Sequence, residues 1–95
     1  MRRIYAIRDL KAECWSPMLI TCAARGEALR EFQTAVNNRE SPYGRYPADF
    51  VLYEIGLYDD VEGVVIPQDA VNLGSGSSYV MGPKLVEEGN VRASD

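Results

Sequence analysis

Histidine is absent from this 95-residue chain, and cysteine occurs only twice. Histidine is the commonest general base and the commonest zinc ligand in proteins, so its absence excludes Ser/His and Cys/His catalytic arrangements. Two cysteines without histidine do not complete an ordinary structural zinc site either. We therefore expect no enzyme, no metal site and no cofactor, and we expect Cys14 and Cys22 to be reduced thiols.

Long apolar segments are missing as well. The longest, residues 17–24, spans eight residues and includes Thr21, whereas a helix that crosses a bilayer needs about 20. Charged side chains near the N-terminus interrupt the apolar segment that a signal peptide requires. The sequence therefore predicts a cytoplasmic protein without membrane segments.

The residues that are present make up a typical small folded domain, with 46% hydrophobic and 25% charged side chains. The formal net charge of −4 argues against a general nucleic-acid-binding protein, because neutralising phosphates requires clustered Lys and Arg. The charge is unevenly divided, however. Residues 1–48 carry eight basic and five acidic side chains, whereas residues 49–95 carry two basic and nine acidic ones. The N-terminal half is thus able to present a modest positive surface.

Hydrophobic periodicity predicts four strands and one helix. Apolar side chains from Ala28 to Val36 fall on one stripe at helical spacing, which predicts an amphipathic helix. Alternating and β-branched runs predict the strands. The elements are strand one at residues 3–10, strand two at 18–22, the helix at 26–36, strand three at 49–58 and strand four at 64–66. This β-β-α-β-β order predicts an α+β fold, a largely antiparallel four-stranded sheet with the helix on one face.

The core and the domain boundary follow from the same pattern. Gly and Ser become frequent after Pro67, above all in Gly74-Ser75-Gly76-Ser77-Ser78, which is typical of a flexible linker. We therefore predict one domain at residues 1–67 and a flexible tail at residues 68–95. The expected core residues are Ile7, Ile20, Leu29, Phe32, Val36, Leu52 and Ile55.

The second face of the predicted sheet needs a cover. Strands one and three carry large apolar side chains on both faces, and one short helix covers only one of them. Exposed apolar surface usually marks an interface. The alternatives are the tail segment around Tyr79, a second copy of the chain in a homodimer, or another protein.

Two groups of residues are candidates for binding nucleic acid. In the loop at residues 39–48, Tyr43, Arg45 and Tyr46 interleave aromatic rings with a cation, a composition that stacks unpaired bases. The alternative for this loop is a lid over the small core. Along strand one, Arg2, Arg3, Arg8 and Lys11, with Trp15 nearby, are able to follow a phosphate backbone. The alternative there is a solvated sheet edge protected by charges.

The acidic turn after strand three is the remaining charged cluster. Asp59, Asp60 and Glu62 attract cations in principle, but a five-residue turn does not have EF-hand spacing. We interpret it as a hairpin turn.

Three segments of the chain resemble one family of phage proteins. They are Ile4-Tyr5-Ala6-Ile7-Arg8-Asp9-Leu10-Lys11-Ala12, the helix from Ala28-Leu29-Arg30-Glu31-Phe32 to Ala35-Val36-Asn37, and Pro47-Ala48-Asp49-Phe50-Val51-Leu52-Tyr53-Glu54-Ile55-Gly56 with Asp59-Asp60 and Gly63. In this order and spacing they are similar to the small nonstructural protein of gokushoviruses, which are microviruses with circular single-stranded DNA genomes. The resemblance spans residues 4–66. The chain departs from it at Tyr46, where family members often have histidine, and at Ala48, where they often have an acidic residue.

The resemblance implies a nonstructural phage protein made in the host bacterial cytoplasm. It further implies single-stranded-DNA binding as an accessory function in genome replication or packaging. The alternative function is a homo-oligomeric interaction module that engages a phage or host replication protein through the second sheet face.

Overall fold

Strand β1 (Arg2–Asp9) is the strand around which the sheet forms. In the computed structural model, which describes residues 1–81, β1 pairs along one edge with β2 (Cys14–Trp15) and β3 (Ile20–Cys22). Along its other edge it pairs with β4 (Phe50–Asp59), which pairs in turn with β5 (Val64–Ser75). All these pairings are antiparallel, and the main strand order is β2-β1-β4-β5.

One main helix, α1 (Arg25–Val36), packs on what we call the inner face of the sheet. Phe32 is fully buried there, in one cluster with alternate side chains of β1 and β4. The buried cluster that α1 and the inner face share consists of Tyr5, Ile7, Cys22, Ala28, Phe32, Val36, Phe50 and Leu52. The predicted α+β fold with an antiparallel sheet and one main helix is therefore confirmed.

The opposite side of the sheet, which we call the outer face, carries the other alternation of β1 and β4. Ile4, Ala6 and Val51 lie there and are almost fully buried, although they do not belong to the inner cluster. In the described part of the chain, the helical segments pack against α1, against one another or along the ends of β4 and β5. None of the helical segments at residues 1–81 forms a layer over the outer face.

The sheet has five strands instead of the predicted four, because the predicted strand two is shortened and an additional short strand precedes it. The first half of the predicted strand two is irregular: the Ser16 hydroxyl bonds both the backbone N–H and the carbonyl of Met18, and Pro17 has no N–H to donate. Only Ile20–Cys22 of the predicted segment pairs with β1. Two residues before the proline, Cys14 and Trp15, form a separate short strand that the sequence did not predict.

The loop at residues 39–48 contains short helical segments. The Ser41 hydroxyl caps α2 (Pro42–Arg45) by accepting a hydrogen bond from the Gly44 N–H, and a 3-10 turn follows at Pro47–Asp49. Gly44 is required here, since a Cβ atom would lie only 2.0 Å from the Asn38 carbonyl oxygen. As predicted, α1 does not continue into this loop: it ends at Val36 with Asn37 as its cap. Pro42 and Pro47 instead begin the two short helical segments.

The last strand and the residues after it are part of the packed structure. The sequence places the domain boundary after residue 67, whereas β5 continues to Ser75 and leads into a 3-10 turn at Gly76–Tyr79. The Tyr79 ring packs edge-to-face on Phe32 at 5.5 Å between ring centroids. Gly76 is buried so closely that a Cβ atom would lie 2.5 Å from the Pro47 carbonyl oxygen. Glycine here permits packing rather than flexibility, and the rest of the predicted tail, 82–95, lies outside the described residues.

The predicted core is close to the observed one. Ile7, Phe32, Val36 and Leu52 are buried, and Leu29 and Ile20 pack against them while partly exposed. Ile55 is the exception. Its neighbours Glu54 and Gly56 pair with two consecutive residues of β1, so Ile55 is an extra residue in β4. It therefore forms a β-bulge and is not one of the side chains that alternate into the inner face.

We expect Phe32→Ala to lower the free energy of unfolding by about 3 to 5 kcal/mol, because it leaves a cavity beneath α1 and removes the partner of Tyr79. A urea titration measures the change. Val61→Ala is the control, since Val61 is 85% exposed in the β4–β5 turn, and we expect less than about 0.5 kcal/mol from it. Equal stability of Phe32→Ala and the wild type would contradict the packing described here.

Candidate nucleic-acid interface

The alternation of β1 divides its charged residues between the two faces. Successive side chains of a strand point to opposite sides, so Arg2 and Arg8 lie on the outer face with Ile4 and Ala6. Arg3 and Asp9 lie on the inner side. Strand one is therefore not a single basic edge, as its composition suggests, but a strand with two arginines on its outer face.

Arg8 lies beside an aromatic pair on this face. Its guanidinium carbon is 5.6 Å from the centroid of the Trp15 indole, which is a cation–π contact. The indole also packs edge-to-face on the Tyr53 ring, with 5.0 Å between centroids. Register explains the cluster: Trp15 lies directly opposite Arg8, and Tyr53 lies opposite Ala6 on the other side of β1.

Trp15 remains 42% exposed despite these contacts. An exposed indole with a cation held beside it is a surface on which a planar ligand can stack. Trp15 is also the only tryptophan of the chain. Its fluorescence therefore reports on this cluster alone.

The outer face contains basic but no acidic residues at its paired strand positions within residues 1–81. The three acidic residues that pair in β1 and β4, namely Asp9, Glu54 and Asp59, fall on the inner alternation. The outer positions are Arg2, Ile4, Ala6, Arg8, Trp15, Thr21, Val51, Tyr53, Gly56, Tyr58, Val65, Pro67, Asn72 and Ser75. The paired positions of this face therefore carry two arginines and no carboxylate, whereas Asp69 of β5 is exposed outside the paired register.

Arg3, a predicted site residue, is held on the other side by Glu54. The Glu54 carboxylate is 4% exposed and accepts hydrogen bonds from Arg3 at 3.2 Å, Arg25 at 3.1 Å and Gln68 at 3.1 Å. Burial by itself raises the pKa of Glu54, but the Gln68 hydrogen bond and the two guanidinium groups outweigh burial and lower the pKa below its ordinary value. Arg3 therefore has a structural partner and does not project from the outer face.

Arg2 and Lys11 lie at opposite ends of β1. The Arg2 guanidinium donates to the Thr21 carbonyl at 3.3 Å on the exposed side of β3. Lys11 is exposed in the turn after β1, where the Asp9 carboxylate accepts hydrogen bonds from the backbone N–H groups of Lys11 and Ala12. The side chain of Lys11 lies at the same end of β1 as Arg8.

The aromatic residues of the loop serve different purposes. Tyr43 is partly buried and packs edge-to-face on Phe50, with 4.7 Å between centroids, so the lid alternative describes its position. Tyr46 is 61% exposed and Arg45 is exposed beside it. A groove of about 220 Å³ lies between β2 and α2, lined by Cys14, Trp15, Pro42, Tyr43 and their neighbours.

The structure thus brings two of the predicted residues, Arg8 and Trp15, together on one face. Arg2 occupies an outer position of β1, but its guanidinium lies at the β3 edge, where it lines a groove with Glu27 and Glu31 of α1. The structure adds three residues that the sequence did not single out: Tyr53, Tyr58 and Asn72. The sequence could have indicated Tyr53, because it alternates with Leu52 and so shares a face of β4 with Val51. Tyr58 was hidden by the bulge at Ile55, which changes the parity of every later residue of β4.

Both cysteines are free thiols, with Cys14 exposed and Cys22 buried in the core. Burial and the nearby Glu27 carboxylate raise the pKa of the Cys22 thiol. Within residues 1–81 no cluster of three or more Cys, Asp or Glu side chains has the geometry of a metal site. In the same part of the chain no helix is long and apolar enough to cross a membrane.

A family model described as Phage ORF5 protein matches residues 2–79. The chain belongs to the Phage ORF5 protein family. The match begins with β1 and ends with the 3-10 turn that carries Tyr79, so it includes residues 68–79 of the segment that the sequence analysis assigned to the tail. No curated protein and no solved structure matches the chain. The protein is therefore a phage protein.

We expect Glu54 to make the stability of this protein sensitive to acid. Its pKa is lower in the folded state, so its contribution is fully present above the ordinary glutamate pKa of about 4.3 and is lost as the pH falls through the lowered value. Urea titrations between pH 6 and pH 3 measure this loss. Glu54→Gln should show a shallower decline than the wild type.

The control for this experiment is Glu62→Gln, in the exposed turn between β4 and β5. We expect its pH dependence to follow that of the wild type. If Glu54→Gln declined as steeply as the wild type, the ion pairs with Arg3 and Arg25 would not stabilise the fold.

Proposed function

We propose that this phage protein binds single-stranded DNA through the outer face of its sheet, as a nonstructural accessory factor in genome replication or packaging. The observation that carries the proposal is the Arg8–Trp15–Tyr53 cluster on a face whose paired positions include no acid. The resemblance to the nonstructural protein of gokushoviruses supports the same ligand, since those phages have single-stranded DNA genomes.

Bases stack on aromatic side chains of open sheet faces in many single-strand-binding proteins, at about 1 to 3 kcal/mol per base. On this face the exposed indole of Trp15 is the first stacking surface, and the Tyr53 ring beside it is the second. Arg8 is already oriented by the indole, so little side-chain entropy is lost when it pairs with a phosphate. Stacking thus supplies affinity, and the arginines fix the backbone.

Electrostatics contribute less than in a basic nucleic-acid-binding protein. Arg8 lies on the outer face, Arg2 lies at its β3 edge, and Lys11 adds a third charge at the end of β1. About three neutralised phosphates give a slope of log K against log salt near −2, from about −0.7 per phosphate. We therefore propose weak binding with a shallow salt dependence.

Two other predicted residues lie outside this surface. Arg45, the last residue of α2, and Tyr46 after it are exposed, but α2 packs on α1 on the inner side of the sheet. The proposed outer-face interface therefore does not include them. Tyr43 has a packing function instead, because its ring lies against Phe50.

The second candidate function is protein interaction through the same face. Tyr, Trp and Arg are also the residues enriched at the centres of protein interfaces. A homodimer or a complex with a phage or host replication protein would bury Trp15, which is now 42% exposed. The two candidates therefore compete for one surface.

We expect labelled single-stranded oligonucleotides to bind in fluorescence anisotropy at low salt and to quench Trp15 fluorescence. Tyr53→Ala should weaken binding at every salt concentration, by an amount near one stacked base, whereas Arg8→Ala should also flatten the salt slope. Tyr58→Ala, on the same face but farther from Trp15, is the matched control and should change binding less.

No binding at low salt would refute the proposal and favour the protein-interaction candidate. Equal affinity for duplex DNA would show that the aromatic cluster does not take part, because paired bases cannot stack on it.

Analytical ultracentrifugation distinguishes the second candidate. If the outer face is a dimer interface, the full chain sediments as a dimer and Trp15→Ala shifts it toward monomer, because the indole is the largest exposed group of that face. A chain that sediments as a monomer at all concentrations would refute the homodimer. A dimer unaffected by Trp15→Ala would place the interface elsewhere.

A further inference from the structure

Asn72 of β5 is a polar residue paired with the aromatic cluster. It lies directly opposite Tyr53 in the β4–β5 register, and side chains at such paired positions have Cβ atoms about 4.5 to 5.5 Å apart. Asn72 is exposed, as the Trp15 indole is, and Tyr53 lies between the two. Asn72 is therefore the paired residue of β5 that borders the Tyr53 side of the aromatic cluster.

The backbone fixes the orientation of the Asn72 amide. The Gly74 N–H donates to its Oδ1 at 2.7 Å, and because that contact requires an acceptor, the oxygen has to face the backbone. The Nδ2 group then points away from Gly74, and within residues 1–81 it donates to no protein group. Asn72 thus presents a hydrogen-bond donor, rather than a mixed amide edge, beside Tyr53.

The segment that holds this amide is itself well anchored. Gly74 has φ of +113°, a conformation that residues with a side chain rarely adopt, so the geometry of the contact depends on this glycine. The Tyr79 hydroxyl donates to the Leu73 carbonyl between them. Asn72 is therefore oriented before any ligand binds, which lowers the entropic cost of a hydrogen bond to it.

We propose that Asn72 reads the base stacked on Tyr53 and selects bases that carry a carbonyl group at the 4 position of a pyrimidine or the 6 position of a purine. This inference rests on the proposed single-stranded-DNA binding. The Nδ2 donor pairs with O4 of thymine or uracil and with O6 of guanine. It meets a second donor, the exocyclic amine, on cytosine and adenine. The double contact of asparagine with adenine also requires Oδ1 to face the base, whereas here Oδ1 is turned toward the Gly74 N–H.

The test compares (dU)12 with (dC)12, whose bases have the same ring size and differ at position 4 in a carbonyl or an amine. We expect the wild type to bind (dU)12 about 2- to 10-fold more tightly in fluorescence anisotropy, which corresponds to one neutral hydrogen bond. Asn72→Asp keeps the acceptor for Gly74 and replaces the outward donor with an acceptor. It should abolish or reverse the preference.

Ser75→Asp is the control for the added charge, because Ser75 lies on the same face of β5, opposite Val51. It should weaken the binding of both oligonucleotides equally and leave their affinity ratio unchanged. Circular dichroism of each variant establishes that the fold is intact.

The outcomes separate this inference from the proposed function. Failure of the wild type to bind either oligonucleotide would overturn the proposed function and the selectivity together. Equal binding of (dU)12 and (dC)12 by the wild type would overturn the selectivity alone, as would an Asn72→Asp variant with the wild-type ratio.

Discussion

The pairing of β1 on both of its edges is the constraint on which the remaining structure depends. A strand held between neighbours cannot rotate, so its alternation is imposed on both faces of the sheet. Tyr5 and Ile7 are thereby committed to the core beneath α1, and Arg8 is committed to the opposite side, beside Trp15. A shift of one residue would bury the arginines and expose the core. Stability and the candidate interface therefore depend on the same register.

Local sequence patterns were sufficient for the fold class and for most of the core. The helical stripe through Phe32 and the alternation around Leu52 are strong because each satisfies one period over several residues. The asparagines after Val36 were also a correct signal for the end of α1, since Asn37 caps it. These features depend on near neighbours in the chain, and a single sequence contains that information.

Features that depend on distant residues were not predictable. The Gly- and Ser-containing segment after Pro67 has a linker composition, but Gly76 is required by its contact with Pro47 and Val36, which no local pattern reveals. The bulge at Ile55 changes which face Tyr58 occupies. In the candidate site, Arg3 looked equivalent to Arg8 until the buried Glu54 carboxylate, 51 positions away, was seen to hold it on the inner side. Composition identified the right kinds of residue, and register decided which of them share a surface.

If DNA contacts the outer face, it does so because Arg8, Trp15 and Tyr53 lie there while the Glu54 carboxylate lies on the inner face. An NMR titration of the ¹⁵N-labelled chain with a thymidine oligonucleotide tests this contact directly, because each backbone amide and the Trp15 indole N–H report separately. The account predicts that the largest shift changes follow the outer face, at the Trp15 indole and around Arg8, Tyr53 and Asn72. Changes centred on Arg25 and the exposed side of α1, with the Trp15 indole unaffected, would contradict it.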